Sequence, residues 1–427
     1  MTWLVVAAFL AAYVLIATER IHRVAAALLG AAAMVFLGVV DAHVAFFSEE
    51  TGVDWNVIFL LLGMMIIVSV LKQTGVFDYL AIWAAKRSKG QPFPLMVMLI
   101  VITAVASAML DNVTTVLLIA PVTLLICDRL AMNPVPFLLA EVFASNIGGA
   151  GTLIGDPPNI IIGSRADLSF NDFLINMGPI AALLLLVLIV LCKLMFGRSL
   201  TYDEDRVAAI MALDEREVIR DPGLLIRSGI VLLLVVAGFV SHSALHVEPS
   251  MVALLGAGTL VAVSRLDSSA YLEEVEWPTL VFFMGLFVMV GALVEVGVIA
   301  DVGRAATDAV GDQQFLAATG LLWGSAALSG LVDNIPYVAT MTPLVQDLVN
   351  AGTDPRPSQG LWWALALGAD LGGNATAVGA SANVVVLGIA ARNGHPISFW
   401  TFTKYGLIVA ATTIALSWPY LYLRYYS

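Results

Sequence analysis

Charged residues and cysteines are scarce in this chain of 427 residues. Charged side chains make up 12% of it, hydrophobic ones 60%, and the mean hydropathy is +0.93. This composition excludes an ordinary soluble domain and is typical of a protein with many membrane spans. The only cysteines, Cys127 and Cys192, lie in or at the ends of apolar runs, so neither a disulfide framework nor a thiolate metal site is expected.

Histidine is also rare, and its placement argues against a metal site. All five histidines fall in predicted loops or at span ends, and no nucleophile with a neighbouring base suits a membrane enzyme. We therefore predict no catalytic residues, no metal and no cofactor. The net charge of -12 gives no reason to expect a nucleic-acid partner, whereas the lipid bilayer is an expected one.

Apolar runs of roughly 17 to 25 residues, long enough to cross a hydrocarbon core of about 30 Å, recur along the whole chain. Basic and acidic loops alternate between them: the loop at 20–23 is basic, the loop at 41–54 acidic and the loop at 86–89 basic. Because basic loops stay in the cytoplasm, we expect an inner (plasma) membrane protein with both termini outside and a charged cytoplasmic linker at 197–223. All but four of the 20 Lys and Arg residues then lie on the inner side.

Two segments are apolar on both sides of an Asp-Asn pair. Asp111-Asn112 interrupts residues 92–127, and Asp333-Asn334 interrupts residues 315–350. An ionisable residue at membrane depth is costly and usually functional. Since a turn at each pair would leave almost no loop, we predict two re-entrant hairpins, which are tolerated only inside protein or beside a wet cavity.

Two further apolar segments, 136–163 and 361–391, contain clustered helix breakers. We predict two broken helices, with backbone breaks at Gly148, Gly149, Gly372 and Gly373. In the first, Asp156 precedes Pro157 and so occupies an N-cap position.

The second half of the chain, 224–427, repeats the first, 1–196. The segment Ala-Leu-Leu-Gly-Ala (27–31 and 253–257), the Asp-Asn pairs, the Gly-Gly pairs and the asparagine ten residues after each Gly-Gly recur in order at offsets of 222 to 226 residues. An odd number of crossings between matching elements makes the repeats inverted. The predicted fold is therefore an all-α polytopic membrane protein with two inverted repeats, about ten transmembrane helices, two re-entrant hairpins and two broken helices.

Polar residues at the breaks and hairpin tips form the predicted substrate or ion site. They are Asp111, Asn112, Thr114, Thr115, Asn146, Asp156, Asn159, Asp333, Asn334, Asp370, Asn374 and Asn383. The alternative for Asp111 is that its carboxylate simply caps the following helix, a role that is compatible with ion coupling.

Three motifs at these positions carry a family resemblance. Asp111-Asn112-Val113-Thr114-Thr115, Asn146 through Asn159 with its Gly-Asp-Pro-Pro-Asn end, and Asp333-Asn334-Ile335-Pro336 resemble the ion transporter superfamily, in its branch of arsenite permeases, sodium-proton antiporters and melanosomal P-proteins. The resemblance implies a homodimer with a scaffold domain and a transport domain that moves as an elevator. An additional ATPase subunit is left open.

Substrate choice follows from the aspartates at both hairpin tips, which would repel a carboxylate ligand. The first expectation is proton-coupled efflux of arsenite or antimonite, whose neutral trihydroxides suit Asn, Thr and Asp groups. A sodium-proton antiporter is the second, with H⁺ or Na⁺ as coupling ion, and a dicarboxylate symporter the third. A non-transporting scaffold would not need paired polar breaks at mid-membrane.

Overall fold

The structure, a computed structural model, describes residues 2–18, 20–48, 50–198, 200, 207, 211, 215–310, 313–352 and 354–427. About half of the predicted linker 197–223 thus lies outside the described residues. Of its charged residues, Glu215 forms an ion pair with Lys86, and this hydrogen bond lowers the pKa of Glu215.

The described residues fold into α-helices and contain no β-strand. In chain order the helices are α1 (Thr2–Thr18), α2 (Arg23–Phe36), α3 (Ala42–Phe47), α4 (Trp55–Gln73), α5 (Val76–Arg87), α6 (Pro92–Met109), α7 (Asn112–Arg129), α8 (Val135–Gly149), α9 (Pro157–Ala166), α10 (Phe170–Asn176), α11 (Gly178–Phe196), α12 (Pro222–Leu245), α13 (Pro249–Ser264), α14 (Ser268–Leu272), α15 (Trp277–Glu295), α16 (Val298–Val310), α17 (Gln314–Ser329), α18 (Asn334–Ala351), α19 (Pro355–Gly372), α20 (Ser381–Arg392) and α21 (Phe399–Leu421). A π-helical turn, Tyr422–Tyr426, extends α21.

Seven of the described helices are long and apolar enough to cross a membrane. They are α4, α6, α7, α11, α12, α15 and α21 with its extension, and α1, α2, α8, α13 and α20 are shorter apolar helices. The predicted all-α polytopic membrane fold is confirmed. The total of ten crossings and the inverted orientation of the repeats stay predictions, because α6 and α7 of the first hairpin are themselves long enough to span.

Helix ends explain the two hairpins and the two broken helices. Asp111 caps α7 and Asp333 caps α18, so each hairpin turns within a few residues of its Asp-Asn pair. Prolines open α6, α9 and α19, where a missing N–H costs nothing because the first turn has no carbonyl partner for it.

Small residues let the two halves of the chain pack with their backbones in contact. Helix α2 packs on α15, and α4 packs on α13. A Cβ at Gly285 of α15 would lie 2.9 Å from the carbonyl carbon of Ala27, and one at Gly63 of α4 would lie 2.8 Å from that of Ala253. Gly63 is the repeat partner of Gly285, and Ala27 of Ala253, so each half supplies one glycine and one alanine to a reciprocal pair of contacts.

Replacing Gly285 by alanine tests this packing. The added Cβ would meet backbone atoms of Ala27, and such overpacking costs about 1–3 kcal/mol. We expect a lower melting temperature of the purified protein in detergent. Gly258→Ala in α13 is the matched control: its Cβ would meet no atom within 4 Å, so the better helix propensity of alanine should leave the melting temperature equal or higher. Equal melting temperatures of the two variants would contradict the close contact.

Candidate functional site

The backbone leaves helical geometry in the middle of each broken helix. In the first repeat α8 ends at Gly149 and α9 begins at Pro157, and in the second α19 ends at Gly372 and α20 begins at Ser381. Each break frees backbone carbonyl groups from helical hydrogen bonds. In a membrane such groups need partners from the protein itself.

One asparagine in each repeat supplies these partners. Asn159 Nδ2 donates to the carbonyl oxygens of Gly149 and Thr152, at 3.3 and 3.0 Å. Asn383 makes the corresponding two bonds in the second repeat, both at 2.8 Å. The asparagine ten residues after each Gly-Gly pair therefore holds the break in shape.

The glycines predicted at the breaks lie at the helix ends. Gly148 and Gly149 are the last two residues of α8, Gly372 is the last of α19, and Gly373 is its C-cap. A Cβ at Gly148 would lie 2.3 Å from the carbonyl oxygen of Ala104 in α6, and one at Gly372 would lie 2.5 Å from Cα of Ala326 in α17. At Gly148 and Gly372 the absence of a Cβ lets a helix of the neighbouring hairpin approach closely. None of the four glycines has a positive φ.

Eight amide and carboxyl side chains from both repeats meet between the breaks and the hairpin tips. Every one of them is at most 2% exposed. We call this group the amide-carboxylate cluster; its members are Asn112, Asn146, Asp156, Asn159, Asn334, Asp370, Asn374 and Asn383.

Asp156 receives hydrogen bonds from both hairpin tips. Asn112 Nδ2 donates to Asp156 Oδ2 at 2.8 Å and to Asn146 Oδ1 at 3.2 Å. From the other hairpin, Asn334 Nδ2 lies 3.4 Å from each oxygen of Asp156. Asp156 does occupy the N-cap position of α9, as predicted, but its side chain makes no capping bond because it turns toward the tips.

Asn146 joins the two broken helices. Its Nδ2 donates to Asn374 Oδ1 at 3.0 Å and to Asn383 Oδ1 at 3.1 Å. Six members of the cluster are thus connected by hydrogen bonds into one network that includes both repeats; they are Asn112, Asn146, Asp156, Asn334, Asn374 and Asn383.

Several buried polar atoms of this region have no hydrogen-bond partner among the described residues. They include both carboxyl oxygens of Asp370, Oδ1 of Asn112, Oδ1 of Asn159, Nδ2 of Asn374 and the hydroxyl of Thr115. Asn159 lies beside Asp370, but the two make no hydrogen bond of standard geometry. Unsatisfied buried polar groups are few in native proteins, so these atoms set the region apart from the rest of the described interior.

The two aspartates at the hairpin tips lie at the edge of the cluster and cap their helices. Asp111 accepts hydrogen bonds from the backbone N–H of Thr114, at 2.7 Å, and from the Thr114 hydroxyl. Asp333 accepts from the backbone N–H of Ile335 at 3.0 Å and from the hydroxyl of Ser381 at 2.6 Å. Asp111 and Asp333 therefore both act as helix N-caps. A role in ion coupling would be additional to capping.

A cavity of about 440 Å³ lies beside these tips. Its lining includes Arg23, Val113, Glu276, Asp333 and Ser381. Residues of α2, α15, α20 and both hairpins line this cavity.

Arg23, the first residue of α2, connects the wall of this cavity to the second hairpin. Its guanidinium forms an ion pair with Asp333 at 3.5 Å and donates to Ser381 Oγ at 2.7 Å and Thr279 Oγ1 at 3.4 Å. The ring of Phe282 lies 5.5 Å from the guanidinium carbon. Arg23 therefore holds the tip of α18 and the start of α20 against α15.

Arg23 and Glu276 were not predicted as site residues. From the sequence, Arg23 is only one of the basic residues of the loop at 20–23, and nothing in the sequence indicates its long-range contacts. Glu276 did leave a signal: it directly precedes Trp277, as Asp54 precedes Trp55 in the first repeat. An acidic residue before the tryptophan thus recurs in both repeats, and this recurrence is the signal that could have indicated Glu276.

A model of the citrate transporter family, CitMHS, matches residues 13–368 of this chain. The chain belongs to the CitMHS family. It is 59% identical to an uncharacterized transporter of Mycobacterium bovis over 100% of this chain and 99% of that protein, and 56% identical to a 46 kDa membrane protein of Mycobacterium leprae over the same shares. This CitMHS protein is also 35% identical to the P protein of Mus musculus over 96% of its own length, and it spans 58% of that larger protein.

A solved structure shares the fold. The YdaH transporter of Alcanivorax borkumensis, whose crystal structure was described as having an unusual topology, matches with a TM-score of 0.57 at 15% identity, over 85% of this chain and 84% of that one. The resemblance to the ion transporter superfamily with its P-protein branch is confirmed, and this CitMHS protein is a membrane transporter.

The contacts of Arg23 can be tested by labelling. In an Arg23→Gln variant the ion pair to Asp333 is lost, so the second hairpin should separate from α15 more often. A cysteine placed at Val384, which lines the cavity, should then react faster with a maleimide, in a background without Cys127 and Cys192. Arg23→Lys, which keeps the charge, is the control and should label at an intermediate rate. Equal labelling rates in the wild type, Arg23→Gln and Arg23→Lys backgrounds would argue against the idea that Arg23 holds the second hairpin to α15.

Glu276 gives a pH prediction. Its pKa is raised from 4.5 to about 7, because burial and the charge of Asp111 raise it more than the Thr279 hydroxyl and Arg23 lower it. The native state then holds this proton more tightly than the unfolded chain, so stability falls as the pH rises from about 5 to 7 and levels off above that. We expect the melting temperature of the wild type to fall over this range relative to Glu276→Gln. Parallel curves for the two proteins would rule this out.

Proposed function

We propose that this protein is a secondary transporter that exchanges Na⁺ for H⁺ at the amide-carboxylate cluster. The observation that carries the proposal is the pair of fully buried carboxyl groups, Asp156 and Asp370, within a shell of amides. Among the residues described, no Arg, Lys or His side chain hydrogen-bonds to either of them. Binding of Na⁺ or of a proton would compensate these buried carboxyl groups, which is the chemistry that Na⁺/H⁺ exchange requires.

The free atoms of the cluster are suited to Na⁺. Asp370 offers two carboxyl oxygens, and Asn112 and Asn159 each offer an amide oxygen. Oxygen ligands at broken helices are the usual partners of Na⁺ in transporters, often together with carbonyls of unwound backbone. Asp156 and Asp370 also lie close enough to interact electrostatically, so a bound cation or a proton relieves their repulsion. Competition of Na⁺ and H⁺ for the same carboxyl groups is the basis of exchange.

The size of the cluster disfavours larger substrates. Its side chains touch one another through hydrogen bonds of 2.8 to 3.4 Å. A tricarboxylate, the substrate class in the family name, would have to separate these contacts and would meet Asp156 and Asp370 without a neighbouring cation. A dehydrated metal ion needs only to exchange a few of them.

The cavity beside the tips supports arsenite efflux as a second candidate. Its walls carry Thr279, Ser381, Asp333 and Glu276, which offer hydroxyl and carboxyl groups to a neutral trihydroxide. In that case the solute would bind in the cavity and the cluster would hold the coupling proton.

Other parts of the sequence-based expectation remain proposals of the same kind. They are a homodimer, an elevator motion of the hairpins and broken helices, and an inner-membrane location with both termini outside. With the cytoplasmic loop at 20–23, the cavity lined by Arg23 would face the cytoplasm.

Flux measurements in proteoliposomes test the exchange directly. With an imposed pH gradient and a pH-sensitive dye inside, added Na⁺ should collapse the gradient for the wild type. Asp370→Asn and Asp156→Asn should each abolish the response, because an amide binds neither a proton nor Na⁺ with charge compensation. Asp301→Asn is the matched control, since its side chain is 71% exposed and pairs with Arg304, and it should exchange normally.

The same vesicles distinguish the alternatives. Arsenite or citrate replaces Na⁺ in parallel samples. Dissipation of the gradient by arsenite alone would replace the first candidate by the second, and a response to citrate alone would reject both. Size-exclusion profiles confirm that the variants are folded.

A further inference from the structure

A buried carboxyl group on α8 takes no part in the amide-carboxylate cluster. Glu141 of α8 is 2% exposed. Its Oε1 accepts a hydrogen bond of 2.5 Å from the hydroxyl of Thr123 on α7, and its Oε2 is buried without a partner among the described residues. Cys127 lies one turn along α7 from Thr123 and is fully buried. It is close enough to Glu141 for an electrostatic interaction.

The packing of this part of the fold does not need a carboxyl group. In the second repeat the position of Glu141 is taken by Leu365 and that of Thr123 by Val345. Both are fully buried in the equivalent helices, α19 and α18. The same pair of helices thus packs with two apolar side chains in one repeat and with a hydrogen-bonded polar pair in the other, so a structural need does not explain Glu141.

We propose that Glu141 is a proton-binding site of this protein, with Thr123 as its hydrogen-bond partner. An ionised carboxylate buried with one hydrogen bond and no neighbouring cation is strongly disfavoured. The protonated acid is the form that this surrounding accepts, and its proton leaves when a movement of α7 against α8 admits water or another acceptor. Binding and release involve one proton and no other chemical change.

The position of Glu141 links it to the cluster. Ser145 follows it by one turn on the same face of α8, and the Ser145 hydroxyl lies 3.1 Å from the carbonyl oxygen of Asn112 at the first hairpin tip. Asn146, which joins the two broken helices, is only about 7–8 Å further along the helix axis than Glu141. A shift of the first hairpin on ion binding therefore also changes the contact between Thr123 and Glu141.

Proton binding at Glu141 is a property of this chain whatever ion it carries, whereas its part in transport rests on the proposed exchange. The two statements are tested by different measurements. The variants are Glu141→Gln, which keeps the shape and one acceptor, and the double change Glu141→Leu with Thr123→Val, which copies the side chains of the second repeat and should therefore pack.

Infrared spectroscopy of the purified protein during a pH titration tests the proton. The wild type should show a carbonyl stretching band of a protonated carboxylic acid that is missing in both variants and shifted in Thr123→Val alone. If Glu141→Gln and the double variant retain every such band of the wild type, the proposal is wrong, and this result does not depend on whether the protein exchanges Na⁺.

The exchange assay tests the role in transport. Competition at Asp156 and Asp370 keeps exchange pH-dependent in every variant, so we expect both Glu141 variants to shift the pH profile of Na⁺-driven exchange relative to the wild type while still binding Na⁺. A missing infrared band together with an unchanged pH profile would overturn the role in coupling. If the wild type itself shows no exchange, the proposed function fails while the infrared result still decides whether Glu141 binds a proton.

Discussion

Desolvation of polar groups is the constraint on which the rest of this structure depends. Two helices are broken in the interior of this membrane protein, and the backbone carbonyl groups freed there need partners within the protein. Asn159 and Asn383 each bind two carbonyls of their own break, and Asn112 and Asn334 bring the hairpin tips to Asp156. The amides thus do two jobs: they stabilise an irregular backbone, and they keep the carboxyl groups in place without neutralising them.

The same constraint explains why carboxyl groups at the site differ in what they can do. Asp111 and Asp333 spend much of their hydrogen-bonding capacity on helix N-termini, and Asp333 also faces Arg23. Asp370 has no hydrogen-bond partner among the described residues and is completely buried. The aspartates of the Asp-Asn pairs are therefore peripheral, and the two fully buried carboxyl groups are those on the broken helices, Asp156 and Asp370.

Much of this arrangement follows from local sequence, and the remainder does not. Apolar runs, the Asp-Asn pairs and the helix breakers are short-range signals, and their recurrence at nearly constant spacing indicates a duplication. Which way a side chain points is decided by packing between segments that are far apart in the chain. Asp156 occupies an N-cap position and still turns away from its own helix, because two asparagines from separate hairpins are there to meet it. The contacts of Arg23 with Asp333 and Ser381 join residues more than 300 positions apart, a distance over which a single sequence has no signal.

The glycines at the breaks are a second case in which the neighbouring sequence does not indicate the contact that a residue makes. Gly148 and Gly372 suggest flexible backbone when only their neighbours in sequence are considered, and they prove to be contact points for α6 and α17. Family membership narrows the activity to membrane transport, but a substrate is chosen by a few side chains. The side chains of the amide-carboxylate cluster are short and either uncharged or acidic.

The reciprocal contacts between the halves have an evolutionary consequence. Gly285 meets Ala27 and Gly63 meets Ala253, so each half is both donor and recipient of the same interface. Asn146 of one half likewise needs Asn374 and Asn383 of the other to complete its hydrogen bonds. An ancestral chain of half this length would have had a complete site only as a pair of molecules, and fusion of two genes would then have freed the two copies to diverge, leaving Glu141 on one side and Leu365 on the other.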